Sequence, residues 1–266
     1  RLKAVGVAEE TPAYGHLPYV MGEGNKKLSK RDPESSLAMY RTKGYLPEAL
    51  LNYLALLGWS MGNDLEFFSP EELTQAFTVE RVNPNPARFD LKKCTSINGD
   101  WIRYLEPTDL LERLVPFLES AGVCSIPITS EERDRLVQVI PLIQERLETL
   151  GAAPELIAFL FTTAGQLDID PDLWTSESAQ VLQIARTILE KLPSWNAVTI
   201  QAALRESLVN GLSLKPKLAF GPVRTAICGR KISPPLFESM ETLGKAESLL
   251  RIENATAQAV GRPLSE

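Results

Sequence analysis

The sequence predicts a mainly α-helical fold built in more than one part, and three observations carry that expectation. Helix-start signals recur: Pro47 opens a long apolar run, and Ser69–Glu72 and Thr129–Glu132 both read Ser/Thr-x-x-Glu, in which cap and glutamate satisfy each other's free amides. Apolar residues return at helical spacing through most of the chain beyond about residue 30. Alternating β-branched stretches, which mark half-buried strands, are scarce.

Taken in order, "YLPEALLNYLALLGWS" has proline in its first turn and apolar residues on most faces, so it predicts a buried helix stopping at Gly58. The box at Ser69 opens a helix toward Phe77, and the box at Thr129 opens a long one expected to end near Gly151. Further periodic runs cover about 108–121, 153–163, 177–192, 196–210 and 235–250, with turn-rich breaks such as "DIDPDLWT" and "KISPP" between them. "VNPNPARFD", with its proline pair, predicts an extended connector, and periodicity lapses again at "TAGQLDIDPDLW". These seams put boundaries near residues 24, 105 and 165, giving segments 1–24, 25–105, 106–165 and 166–266. No internal repeat is evident.

A chain of 266 residues with 44% hydrophobic and 23% charged residues is long and apolar enough to bury a core, which excludes disordered and collagen-like classes. It has no apolar run near the roughly 20 residues of a membrane span and no signal-peptide pattern in "RLKAVGVAEE", so the expected location is cytoplasmic, with no membrane partner. Cys94, Cys124 and Cys228 lie far apart with no Cys-x-x-Cys, which predicts free thiols and no metal site. The single histidine, His16 in "YGHLP", has no Ser or Asp pattern around it and is expected to be structural.

The net charge of −6 disfavours nonspecific nucleic-acid binding, and DNA is not an expected partner. Charge is nevertheless uneven. Residues 214–237 contain no acid while carrying Lys215, Lys217, Arg224, Arg230 and Lys231. A second basic island is "GEGNKKLSKRD", Gly22 to Asp32, with four cations. Two readings of it stay open from the residues alone: a solvated charge run, or a loop whose lysines approach a polyphosphate and neutralise charge on a leaving pyrophosphate. The glycine and lysine spacing is not that of a Walker loop.

Three segments in order, "HLPYVMGEGNKKLSKRD", "MYRTKGYLPEALLNYLALLGWS" and "RFDLKKCTSINGDWIRYL", resemble bacterial glutamyl-tRNA synthetases, a family of class I aminoacyl-tRNA synthetases. The tail "AFGPVRTAICGRKISPPLFESMETLGKAESLLRI" is similar to the end of that family's anticodon-binding domain, so the resemblance covers almost the whole chain. Cys94 departs from the apolar or small residue expected after "DLKK". The resemblance implies a helical stem-contact region followed by a two-part α-helical anticodon-binding domain. It makes Lys27, Leu28, Ser29, Lys30 and Arg31 the ATP-binding loop, with Lys27 and Lys30 the catalytic cations. It also makes Arg146, Arg224 and Leu236 anticodon contacts, beside Lys215 and Lys217 as candidates for tRNA phosphate contact. Arg146 lies in "LIQERLETL", where a helical surface arginine is the plain alternative.

The family's His-Ile-Gly-His-like element and its glycine-rich strand–helix alternation do not occur here; His16 matches instead the "HLP" before the lysine loop. The expectation is therefore a C-terminal piece of a glutamate–tRNA ligase, which recognises tRNA(Glu) and its anticodon but does not activate glutamate alone. ATP with Mg, and glutamate, belong to the full enzyme, and no cofactor is expected on this part. Two rival readings remain. One is a noncatalytic helical scaffold or protein-interaction module whose basic tail serves an acidic partner. The other is a truncated paralogue that glutamylates a modified base, against which the helical tail argues.

Overall fold

Helix α1 (Leu37–Lys43) shows how local chemistry sets the elements: the Ser36 hydroxyl accepts from the Met39 amide at its start, and Gly44, at φ 80°, turns the chain left-handed at its end. The computed structural model of the chain describes residues 1, 3–7, 14–22, 24, 26–231 and 233–260, and it is mainly α-helical. Glu23 and Asn25 of the basic loop, Ile232, and part of segment 1–24 lie outside the described residues. Two compact units divide the chain, Arg1–Trp101 and Ile102–Glu266.

In the first unit, β1 (Val20–Met21) pairs in parallel with β2 (Ala87–Arg88), so the expected connector contributes a short strand. Helix α2 (Pro47–Leu56) starts on Pro47 as its sequence demands and buries Ala49, Leu50, Asn52 and Tyr53. It ends at Leu56, before Gly58. That glycine is required by packing, because a Cβ there would stand 2.9 Å from Pro18 Cγ. Helix α3 (Pro70–Ala76) has the Ser69–Glu72 capping box closed in both directions. Helix α4 (Leu91–Tyr104) begins directly after Asp90 of the "DLKK" stretch. Asn52 is buried yet satisfied: its amide donates to the Glu66 carbonyl at 2.9 Å and its oxygen accepts from Trp101 Nε1 at 3.0 Å. Tyr53 and Phe89 meet edge to face at 5.2 Å, and the Tyr53 hydroxyl accepts from the Asp90 amide at 2.6 Å.

The second unit is helix on helix: α5 (Pro107–Ser120), α6 (Ser130–Ile143), α7 (Ala153–Ile157), α8 (Ser178–Glu190), α9 (Ala197–Leu204), α10 (Pro216–Cys228), α11 (Leu236–Leu243) and α12 (Lys245–Val260). Helix α8 turns Val181, Leu182, Ala185 and Leu189 inward against α12, which returns Ile252 and Ala255. Arg251 is buried in this core at 1% exposure. Its Nη1 donates to the Ile227 carbonyl at 2.7 Å, its Nη2 to the Thr162 carbonyl, and its Nε to Glu247 at 2.8 Å. One side chain thus closes the end of α10 and ties it to α12 and to the segment before Thr163.

Three expectations need correction. The helix opened at Thr129 stops at Ile143, not near Gly151: Pro141 removes a ladder bond, residues Gln144–Arg146 tighten into a 3-10 turn, and Leu147 is extended. The Gln144 amide then donates to the carbonyls of Ile102 and Leu105 at 2.9 and 2.7 Å. The run at 153–163 is a five-residue helix followed by a 3-10 turn at Ala158–Leu160. The run at 235–250 is two helices, broken by Gly244 at φ 80°. Helix α10 forms although Gly221 and Pro222 sit inside it, because its buried face, from Ala219 to Cys228, outweighs propensity. The run at 196–210 continues past α9 as a π-helix over Arg205–Gly211.

All three cysteines are buried free thiols. Burial pushes Cys94 up to about 12 and Cys228 up to about 11.

Candidate tRNA interface

The lysine loop is built on the edge of β1. Leu28 donates its amide to the Val20 carbonyl at 2.9 Å, Gly22 donates to Lys26 at 2.8 Å, and Met21 and Lys27 form an antiparallel bridge. Leu28 folds over Gly22, where a Cβ would stand 3.3 Å from Leu28 Cδ1. The next four residues close on themselves. The Asp32 carboxylate accepts from the Ser29 amide at 2.6 Å, the Ser29 carbonyl accepts from the Asp32 amide at 3.0 Å, and the Ser29 hydroxyl accepts from the Arg31 amide at 3.2 Å. Lys30 and Arg31 occupy the outside of this turn, exposed, with no ion-pair partner among the described residues. The pattern Lys-Leu-Ser-Lys-Arg-Asp therefore has a physical division: Leu28 anchors, Ser29 and Asp32 close the turn, and the cations face outward. Sequence reasoning assigned Asp32 no role, although an aspartate three residues after a serine in a turn has Asx-type closing chemistry. His16 is exposed.

In the second unit, Arg146 and Arg224 come from different elements to one place. Arg224, on α10, donates from Nη1 to Ser233 Oγ at 2.7 Å and to the Pro234 carbonyl at 3.2 Å. Arg146, on the 3-10 turn after α6, donates from Nη1 to the Ser233 carbonyl at 2.8 Å. The break after Ile143 is what brings Arg146 here, off the helical surface. Leu236, the first residue of α11 and two residues after Pro234, is buried at 2% exposure. Ser233 is the residue that sequence reasoning missed: in "KISPP" it reads as part of a turn-rich break, yet both arginines end on it, and it is itself 2% exposed. Beside this group, Phe220, one turn before Arg224 on α10, meets Phe237 edge to face at 5.4 Å, both rings half-buried.

Lys215 stands at the residue before α10, with no side-chain capping bond, and Lys217 follows in its first turn, which holds no acid. Cations there oppose the helix dipole, so their placement weakens the helix and concentrates positive potential at its amide end. Both lysines are exposed. Arg230 is paired with Glu155 at 3.1 Å. Among the described residues no cluster of three or more His, Cys, Asp or Glu could hold a metal ion, and no helix is long and apolar enough to cross a membrane.

Known proteins bear on these two sites. The family described as "Anticodon binding domain" matches residues 109–256, and that described as "tRNA synthetases class I (E and Q), catalytic domain" matches residues 2–96. Among curated proteins, the chain is 51% identical over 254 residues to the glutamate–tRNA ligase of Clavibacter sepedonicus, covering 94% of this chain and 50% of that protein. It is 52% identical over 254 residues to that of Paenarthrobacter aurescens, with 94% and 50% covered. The chain spans about half the length of the curated relatives it matches. Among solved structures, a glutamate tRNA ligase from Elizabethkingia meningosepticum, in complex with its amino acid, superposes with a TM-score of 0.79 at 24% identity, covering 96% of this chain and 53% of that one. The glutamate–tRNA synthetase of Elizabethkingia anophelis gives 0.76 at 24% identity, with 96% and 53% covered. At that identity the structures speak for the fold. Since the anticodon-binding family covers more than half of the residues and the lysine loop lies within the catalytic-domain match, the chain belongs to the bacterial glutamyl-tRNA synthetases.

Proposed function

We propose that this chain is the tRNA-binding part of a glutamate–tRNA ligase, working in the cytoplasm. The observation that carries the proposal is the convergence of Arg146 and Arg224 on Ser233 and Pro234 inside the region matched by the anticodon-binding family. Single-stranded RNA bases are read by planar, forked donors beside flat side chains, and the arginines with Phe220 and Phe237 supply both. Leu236 supports the floor of this surface. Lys215 and Lys217 serve as phosphate contacts that position the RNA without reading it. Residues 106–165 and 166–266 act as the two parts of this anticodon-binding region, and 25–105 holds the lysine loop and stem-contact region.

In the full reaction, the glutamate carboxylate attacks the α-phosphorus of ATP, pyrophosphate leaves, and the glutamyl group passes to the terminal ribose of the tRNA. Lys27 and Lys30 neutralise charge on the departing pyrophosphate, and Ser29 with Asp32 keeps the loop closed so that Lys30 projects. ATP with Mg and glutamate meet the full enzyme; this chain alone does not activate glutamate and binds no cofactor.

The test is binding of glutamate tRNA and an anticodon-swapped tRNA at two salt concentrations, with glutamate-dependent pyrophosphate exchange run in parallel. Preference for the cognate anticodon with a steep salt dependence is expected, and no exchange. Equal, salt-insensitive binding would favour a protein-interaction scaffold. Exchange above that of Lys30→Ala would refute the division of activity. In the full enzyme, Lys30→Ala should lower activation on the order of 100-fold while leaving tRNA affinity nearly unchanged.

A further inference from the structure

We propose that Tyr19 is a positioning residue, which holds the Lys27 ammonium in place for a polyphosphate; this rests on the reading of the lysine loop as a phosphate-binding element. The register puts the two side chains together. Lys27 stands opposite Met21 across the antiparallel bridge, and Tyr19, two residues before Met21, is its diagonal neighbour on the same face. The result is direct: Lys27 Nζ lies 4.1 Å from the centroid of the Tyr19 ring. Both partners have fixed backbones, since the Tyr19 carbonyl accepts from the Ala87 amide at 3.0 Å and the Leu28 amide donates to Val20 at 2.9 Å.

The ring is not there to fill a core. Tyr19 is 59% exposed, and Lys27 is exposed as well. An ammonium resting on a ring face keeps donors directed to solvent, so the contact narrows its rotamers without consuming its capacity to bind an anion. Lys30 has no such support: its side chain has no hydrogen bond, ion pair or ring contact among the described residues. The two loop lysines thus differ in kind, Lys27 preset on an aromatic platform and Lys30 projecting from a closed turn. Presetting lowers the ordering needed when a phosphate arrives.

Nuclear magnetic resonance on this chain with labelled lysine tests the proposal, with Lys27→Met supplying the assignment. An upfield ring-current shift of the Lys27 ε protons is expected in wild type and Tyr19→Phe, and its loss in Tyr19→Leu. Inorganic tripolyphosphate is then titrated at low salt. Tyr19→Leu should weaken its binding about two- to five-fold, the size of an exposed cation–π contact, while Tyr19→Phe binds as wild type. In a Lys27→Met background Tyr19→Leu should have no further effect. Absence of the ring-current shift, or equal affinity in wild type and Tyr19→Leu while Lys30→Ala weakens binding, overturns the role of Tyr19. Equal affinity in wild type, Lys27→Met and Lys30→Ala instead overturns the phosphate reading of the loop, and the proposal with it.

Discussion

Replacing the buried Arg251 by methionine should strongly destabilise the second unit. The guanidinium is fully buried and meets the carbonyls of Ile227 and Thr162 together with Glu247. Methionine fills much of the volume but takes a donor from the buried Ile227 carbonyl, worth about 1–3 kcal/mol, and from the part-buried Thr162 carbonyl, worth somewhat less. The Glu247 side chain is 28% exposed and can rehydrate, so it adds little. Because the three losses share one side chain they do not add in full, and the expected total is about 3–5 kcal/mol. With a urea slope of about 2 kcal/mol/M, the midpoint should fall by about 1.5–2.5 M. Urea melts with fluorine-labelled tryptophan separate the units, since Trp174 and Trp195 report on the second and Trp59 and Trp101 on the first. Arg251→Lys should keep most of the loss, because an ammonium cannot span the fork. A midpoint shift below about 0.5 M for Arg251→Met, or a full rescue by lysine, would refute the claim that this fork ties α10 to α12.

Arg224→Ala should weaken cognate tRNA by about 1–3 kcal/mol and the anticodon-swapped tRNA much less; an equal loss on both would make Arg224 a phosphate or structural residue. Lys215→Ala and Lys217→Ala should each weaken all tRNAs about equally and lower the salt slope by about one, read from binding isotherms at several salt concentrations. The three thiols should be silent toward a thiol reagent in the native chain and all react in urea; fast native labelling would contradict their burial. Burial raises the folded values of Cys94 and Cys228 to about 12 and about 11 from an ordinary 9.0, so this contribution is fully present below about pH 9 and is lost as pH rises toward those values. Stability should decline across that window in wild type, and less so in a Cys94→Ala chain compared with its own value at pH 8.

Where a signal is local, it was legible. The capping boxes at Ser69 and Thr129 and the first-turn proline of α2 follow from residues that act on their immediate neighbours. Helix ends were less so. Nothing in "LIQERLETL" distinguishes a continuing helix from one that breaks after Pro141 and tightens, because Gln144 finds its carbonyl partners about forty residues away. Helix α10 was invisible for the opposite reason: Gly221 and Pro222 argue against it locally, while burial of its inner face argues for it only in the folded unit.

The same division applies to the functional residues. The sequence by itself determined the family, the mainly helical fold and the two basic islands, since motif order, periodicity and charge are written along the chain. The tertiary structure alone decided that Arg146 and Arg224, distant in sequence, both end on Ser233, that Tyr19 lies under Lys27, and that Asp32 closes the loop's turn. These depend on register, on where a helix breaks and on which side chains are brought to one serine or one ring. Such contacts form only once distant segments pack, and no local window of the sequence contains them.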